Sequence, residues 1–182
     1  LGLAPFIARS LAEAEAAGAR AVVLDTETPG GRIDAAQQIV NAPKEAKIPT
    51  YAYVNRRAFS AGAMIALATD GIYMRTGSVM GAATPVGGDG AKAPEKIVSA
   101  MRSEMRTLAE ARNLDPRVAE AMVDEDIEIP GLVAKGKLLT LTTAEATRIG
   151  YAREVADWND LMLQLRTVGA LFGLLQHQQH LV

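Results

Sequence analysis

Thr28-Pro29-Gly30-Gly31 and Phe59-Ser60-Ala61-Gly62-Ala63 are the segments whose residue types suit catalysis. The first follows Ala21 to Leu24, a short apolar run that fits a strand buried on both faces. Open α/β sheets build their sites beyond the carboxyl ends of such strands. Two adjacent glycines let backbone N–H groups come close to a ligand or to a developing oxyanion. The same four residues also make an ordinary tight turn. In the second segment Ser60 opens a helix of small residues, where unpaired amides and the helix dipole favour negative charge. A serine there is either a nucleophile or a helix N-cap, and its small neighbours favour an approach closer than capping needs.

A nucleophilic serine requires a base. The two histidines, His177 and His180, lie in the polar end of the chain, so a Ser-His-Asp triad would require that tail to fold back over the site. No carboxylate or cysteine cluster accompanies them, and neither a metal nor a cofactor is expected. Lysine is the remaining choice. Lys96 follows a glycine-rich stretch and begins an amphipathic helix, whereas Lys135 and Lys137 fall in a polar glycine turn. A lysine acting near neutral pH must drop from about 10.4 to roughly 7–8, some 4 kcal/mol of desolvation or neighbouring positive charge. The alternative for Lys96 is a surface lysine whose stem lies along the helix.

These residues need a scaffold, and the 182-residue chain, 49% hydrophobic and 22% charged, is large enough for one globular core. A net charge of -2 with scattered basic residues gives no pull toward nucleic acid or anionic lipid. The absence of cysteine excludes disulfides, thiolate catalysis and cysteine metal sites. No apolar run approaches the roughly 20 residues of a membrane span, and residues 1–20 lack a signal-peptide layout. With aromatics at 4% and alanine abundant, the helices must pack closely through small side chains.

Periodicity predicts a helix over Leu3 to Ala19 stopping at Gly18, the strand Ala21–Leu24 broken by Asp25–Gly31, and a helix over Asp34–Val40. A strand at Thr50–Val54, a helix over Ser60–Ala68 after a loop, and a strand at Gly71–Arg75 follow. Gly77–Ala93 reads as loop, with a flexible stretch at Gly87–Gly90. Lys96–Ala111 reads as a helix with Ile97, Ala100, Met101, Met105 and Leu108 on its apolar face. Pro116 and Pro130 bracket another helix, and Leu138 to Val155 reads as strand, short helix, strand. The whole is an α/β fold of repeated strand–helix units over residues 1–160, followed by a helix or linker tail over 161–182.

Taken in order, Thr28-Pro29-Gly30-Gly31, Phe59-Ser60-Ala61-Gly62-Ala63-Met64, Gly81-Ala82 and Thr84-Pro85-Val86 resemble the Clp-protease/crotonase superfamily. Ala93-Pro94-Glu95-Lys96-Ile97 and Gly136-Lys137-Leu138-Leu139-Thr140 resemble more closely its NfeD-type membrane-bound serine proteases, partners of stomatin-like proteins. The resemblance covers residues 3–160. It implies a Ser-Lys endopeptidase with Ser60 as nucleophile and Lys96 as base. Gly31, with Gly30 adjacent, and Ala61 would supply the oxyanion amides. Arg32 and Ile33 would line an extended apolar substrate, and Asp126 would order the lysine. It further implies a peptide or protein substrate, with a stomatin-like protein as the candidate, a homodimer or larger assembly, and membrane attachment through segments outside this chain, with this domain extracytoplasmic. Superfamily members usually open with an extra strand, and they carry Asp or Asn where Glu27 stands. The competing readings are a crotonase-type acyl-CoA enzyme and a non-catalytic peptide-binding module.

Overall fold

In the computed structural model of the chain, residues 2–178 are described, with side chains through residue 168; expectations about the side chains of His177 and His180 lie outside that range. Helix α1 (Leu3–Ala16) ends before Gly18, whose φ of 73° is the left-handed state in which glycine stops helices. Strand β1 (Val22–Thr28) does not break at Asp25. It continues because β2 (Thr50–Phe59) offers a longer parallel ladder, pairing Asp25 with Tyr53 and Thr26 with Val54, then Thr28 with Ala58 after a register shift. Tertiary pairing thus overrides the weak strand preference of Asp, Thr and Glu. Asp25 and Glu27 stay exposed while Thr26 between them is buried, as a strand's two-residue period requires.

β2 is the hub of a six-stranded sheet. One of its edges holds β1, and the other holds β3 (Gly71–Arg75) along Tyr51–Val54 and β4 (Val79–Gly81) along Arg57–Phe59. β4 pairs antiparallel with β5 (Thr140–Thr142), and β3 pairs parallel with β6 (Arg153–Val155). The segment expected to be loop over Gly77–Ala93 therefore contains a strand, fixed by the fully buried Met80. It also contains a small hairpin, in which Val86 bridges Lys92 and the Gly87 N–H donates to Ala91 O at 2.8 Å.

Alternation along β2 and β3 sorts the core into two faces. Ala52, Val54, Ile72 and Met74 join α2 (Ile33–Glu45), α3 (Ala61–Leu67), α4 (Glu95–Glu110) and α5 (Pro116–Ala121) in the main core. Tyr53 and Tyr73 face the other way, against Val155 and Leu161 of the stretch entering α7 (Trp158–Gln178). There Tyr53 meets Trp158 edge-on at 5.5 Å. The short α6 (Thr143–Arg148) starts with a capping box between Thr142 and Glu145.

α2 runs past the expected Val40 to Glu45 and through the buried Pro43, which has no N–H to donate to the preceding turn. α4 buries Val98, Met101, Met105, Leu108 and Ala109, so the apolar stripe is rotated from the expected one and Ile97 and Ala100 face outward. Among the described residues no helix is long and apolar enough to cross a membrane.

Candidate active site

Ser60 by itself turns the chain from β2 into α3, without the loop expected there. Its backbone stands at φ 53° and ψ -117°, a region that L side chains avoid and that costs on the order of 1–3 kcal/mol. The fold holds it there from several sides. The Ser60 N–H donates to Gly81 O at 2.9 Å, and the Ser60 carbonyl accepts from Ala63 and Met64. Among the described residues its side chain makes no hydrogen bond, so Oγ is free there where an N-cap serine's would be engaged. A strained, strand-to-helix serine with a free hydroxyl is the geometry of a nucleophile elbow.

The Gly30-Gly31 turn lies against this serine. A Cβ on Gly30 would sit 2.9 Å from Ser60 Cβ and 3.4 Å from Ser60 Oγ, and Gly30 has a φ of 123°. Both facts require glycine. The Gly30 N–H is occupied, donating to Thr28 Oγ1 at 3.1 Å. Among the described residues the Gly31 N–H makes no hydrogen bond, and Ala61 is the first residue of α3, whose N–H has no acceptor inside the helix. Gly62 is needed for a different reason. A Cβ there would lie 2.4 Å from Thr28 Cγ2, so β1 packs directly on α3.

Gly30, Gly31, Arg32 and Ala61 share the wall of a groove of about 580 Å³, floored by β1 and flanked by α1 through Leu3 and Phe6. Arg32 is the backbone N-cap of α2, and its guanidinium is forked onto Asp34 at 3.0 and 2.7 Å. That hydrogen bond pulls the Asp34 carboxyl down to about 2. Ile33 is the half-buried first residue of α2. Glu27 pairs with Arg56 at 3.3 Å. A second cleft, of about 550 Å³ between α2 and α4, contains none of the expected site residues.

Lys96 lies in the first turn of α4 and is exposed, not turned inward, and no hydrogen bond joins it to Ser60 or Asp126 among the described residues. Asp126 is exposed too, and its N–H donates to Asp124 Oδ1 at 3.0 Å. Around this turn runs a charge network that the sequence did not announce. Arg102 binds Glu95, next to Lys96, at 3.0 Å and reaches Asp124 with its other nitrogen. Lys92, at the foot of the hairpin, pairs with Glu125 at 3.2 Å, which raises the Lys92 ammonium above its ordinary range. Nearby, Ala83 N–H donates to Met122 O and Thr84 Oγ1 to Val123 O, tying the strand leaving β4 to the same 122–126 segment. Apart from Arg102–Glu95, seven residues apart within α4, these contacts join residues more than twenty apart, so no local motif carried them. Thr28 is a further residue of this turn that spacing does not single out; a hydroxyl directly before Pro-Gly-Gly is the signal that points to it.

The chain matches the family described as "NfeD1b, N-terminal domain" over residues 1–171. It is 46% identical over 157 residues to the membrane protein NfeD1b of Bacillus subtilis, covering 86% of this chain and 36% of that protein. It is 32% identical over 163 residues to the membrane-bound protease PH1510 of Pyrococcus horikoshii, covering 85% and 34%. The chain thus spans about a third of the length of these relatives.

Among solved structures it resembles 1510-N, a membrane-bound stomatin-specific protease, in a lysine-to-alanine variant complexed with a substrate peptide. There the TM-score is 0.75 at 30% identity, over 87% of this chain and 71% of that one. ClpP1 of Listeria monocytogenes, at 18% identity and a TM-score of 0.64 over 87% of both chains, shares the fold. The fold is therefore Clp-protease-like, and the chain belongs to the NfeD1b N-terminal domain family.

Proposed function

We propose that this chain is the peptidase domain of a membrane-associated serine endopeptidase, with Ser60 as nucleophile and Lys96 as general base. The observation that carries the reading is Ser60 itself: a strained, half-buried serine, free of capping duty, in contact with a Gly-Gly turn. Ser60 Oγ attacks the scissile carbonyl and gives its proton to neutral Lys96. The tetrahedral oxyanion receives N–H bonds from Gly31 and Ala61, and the proton passes on to the leaving amine. Water then hydrolyses the acyl-enzyme by the same route. Gly31 is preferred over Gly30 because the Gly30 amide is already bound to Thr28.

The substrate is an extended apolar segment, recognised by backbone pairing beside the turn, with Arg32 and Ile33 along its path. The apolar groove reaching Gly30 and Gly31 supports this, as does the peptide complex of the related 1510-N. A stomatin-like protein is the proposed partner, by analogy with that stomatin-specific relative. Lys96 is exposed in the single chain, so bound substrate or a second copy must cover the first turn of α4 to bring it into play. Membrane attachment through segments outside this chain, with the domain extracytoplasmic, completes the proposal; the relatives are named membrane proteins.

Hydrolysis of an apolar peptide panel by the wild-type chain tests it. Ser60→Ala and Lys96→Ala should each lower kcat by at least about a thousandfold. Lys96→Arg should be nearly as damaging, because a guanidinium stays protonated and cannot accept the serine proton. Turnover of an acyl-CoA by Ser60→Ala would replace the reading with a crotonase-type one, and no reaction of Ser60 with a fluorophosphonate probe would leave a peptide-binding module.

A further inference from the structure

We infer that Thr28 is the positioning residue of the oxyanion turn, holding Gly30 with its hydroxyl and bracing α3 with its methyl. The inference rests on the serine-protease reading above. Thr28 Oγ1 accepts from the Gly30 N–H at 3.1 Å and donates to the Gly30 carbonyl at 3.1 Å. One hydroxyl can do both, having a donor and two acceptor sites. These two bonds pin a glycine whose φ of 123° L side chains rarely adopt, and among the described residues the next amide, Gly31, is left without a hydrogen bond.

The methyl of the same side chain approaches Gly62 so closely that a Cβ there would stand 2.4 Å from it. Thr28 therefore touches both segments that flank the nucleophile. The turn before it contacts Ser60 at Gly30, and the helix behind it carries the Ala61 amide. Its own backbone is fixed by pairing with Ala58 of β2, two residues before Ser60. A chain of direct contacts thus links the sheet, the oxyanion donors and the nucleophile through one side chain, stiff at χ1 because it is β-branched. Serine would keep the hydroxyl without the brace, and valine the brace without the hydroxyl.

Misplacing the Gly31 amide should weaken transition-state binding while leaving substrate binding intact, because the oxyanion exists only after attack. Removing an oxyanion donor outright costs about 10²–10³ in kcat, so a misaimed one should cost roughly ten- to a hundredfold. The test compares wild type, Thr28→Val and Thr28→Ser in steady-state cleavage of an apolar peptide, with Ser60→Ala as blank. Amide hydrogen exchange at Gly30 and thermal melting are read alongside.

The expected result is a kcat loss of about that size in Thr28→Val, with KM within about threefold and faster Gly30 exchange, and recovery of most of the loss in Thr28→Ser. Exchange remains readable even if Thr28→Val melts early. Unchanged kcat in Thr28→Val overturns the inference. A larger loss in Thr28→Ser than in Thr28→Val does so as well, since it would trace the effect to the methyl and not the hydroxyl. Absence of Ser60-dependent cleavage in wild type, with Gly30 exchange still controlled by Thr28, identifies failure of the protease reading instead and removes the catalytic role with it.

Discussion

At Ser60 the fold maintains a residue in a conformation that glycine would occupy without strain, at φ 53°. Such strain is retained where a side chain has a use that no relaxed backbone would permit. Ser60→Gly should relieve it, and after the entropy cost of glycine the variant should be stabler than Ser60→Ala by about 1 kcal/mol while both are inactive. Thermal melting of the two variants decides this; equal midpoints would mean that the backbone there is unstrained. Gly62→Ala should act in the opposite direction. Its Cβ would collide with the Thr28 methyl at 2.4 Å, so a loss of about 1–3 kcal/mol is expected, together with slower cleavage as the turn is displaced. Arg32 lowers the Asp34 carboxyl to about 2, below its usual value near 3.9. A depressed carboxyl contributes stability above its unfolded value, and that contribution disappears as pH falls from about 4 to about 2. Carboxyl NMR of Asp34 should titrate near 2 in the wild type and rise toward the ordinary range in Arg32→Ala.

The first turn of α4 is held by more than its apolar stripe. Arg102 joins Glu95 to Asp124, with side-chain exposures of 23% for the arginine and 15% for the aspartate in that pair. Their partial burial separates this link from the surface ion pair Lys92–Glu125, which at 45% and 51% exposure is worth little on its own. Arg102→Met leaves Asp124 half-desolvated and unpaired, so about 1–3 kcal/mol of stability should be lost. Kinetically, loosening the element that carries Lys96 should lower kcat about tenfold with KM little changed. Cleavage kinetics and a melting curve on Arg102→Met check both parts; a lower melting point with unchanged kcat would make the network structural only. The hairpin over 86–92 belongs to the same unit, because the Ala93 N–H donates to Pro85 O and Lys92 meets Glu125.

Across the whole molecule, exposed apolar side chains lie on α1, at the entry to α4 and on α7. Val86 and Ile97, on either side of the α4 entry, are 60% and 42% exposed, and Leu3 and Phe6 border the groove that ends at Gly31. A second copy or a substrate covering Val86 and Ile97 would also take Lys96 out of water, which a general-base lysine requires. Sedimentation equilibrium should therefore find a dimer or larger assembly at micromolar concentration. A monomer at high concentration would leave substrate as the only cover for Lys96.

The sequence by itself determined the order of strands and helices apart from β4, the Gly-Gly turn and the serine junction, and its inventory is what proposes lysine over histidine as the base. Each of these is local: apolar period, turn chemistry, or a residue inventory. Tertiary structure decided the rest. β1 reaches Thr28 only because β2 extends beside it, and that pairing alone carries the Thr28 hydroxyl to Gly30 and its methyl to Gly62. Periodicity located α4 but misassigned Ile97 and Ala100, since the phase of its buried stripe depends on which neighbours it packs against. The Arg102–Asp124 link, twenty-two residues apart in sequence, was invisible for the same reason. Close contacts between segments distant along the chain leave no periodic trace in composition or spacing, and in this fold those contacts hold the Gly30 turn against Ser60 and tie the first turn of α4 to Asp124.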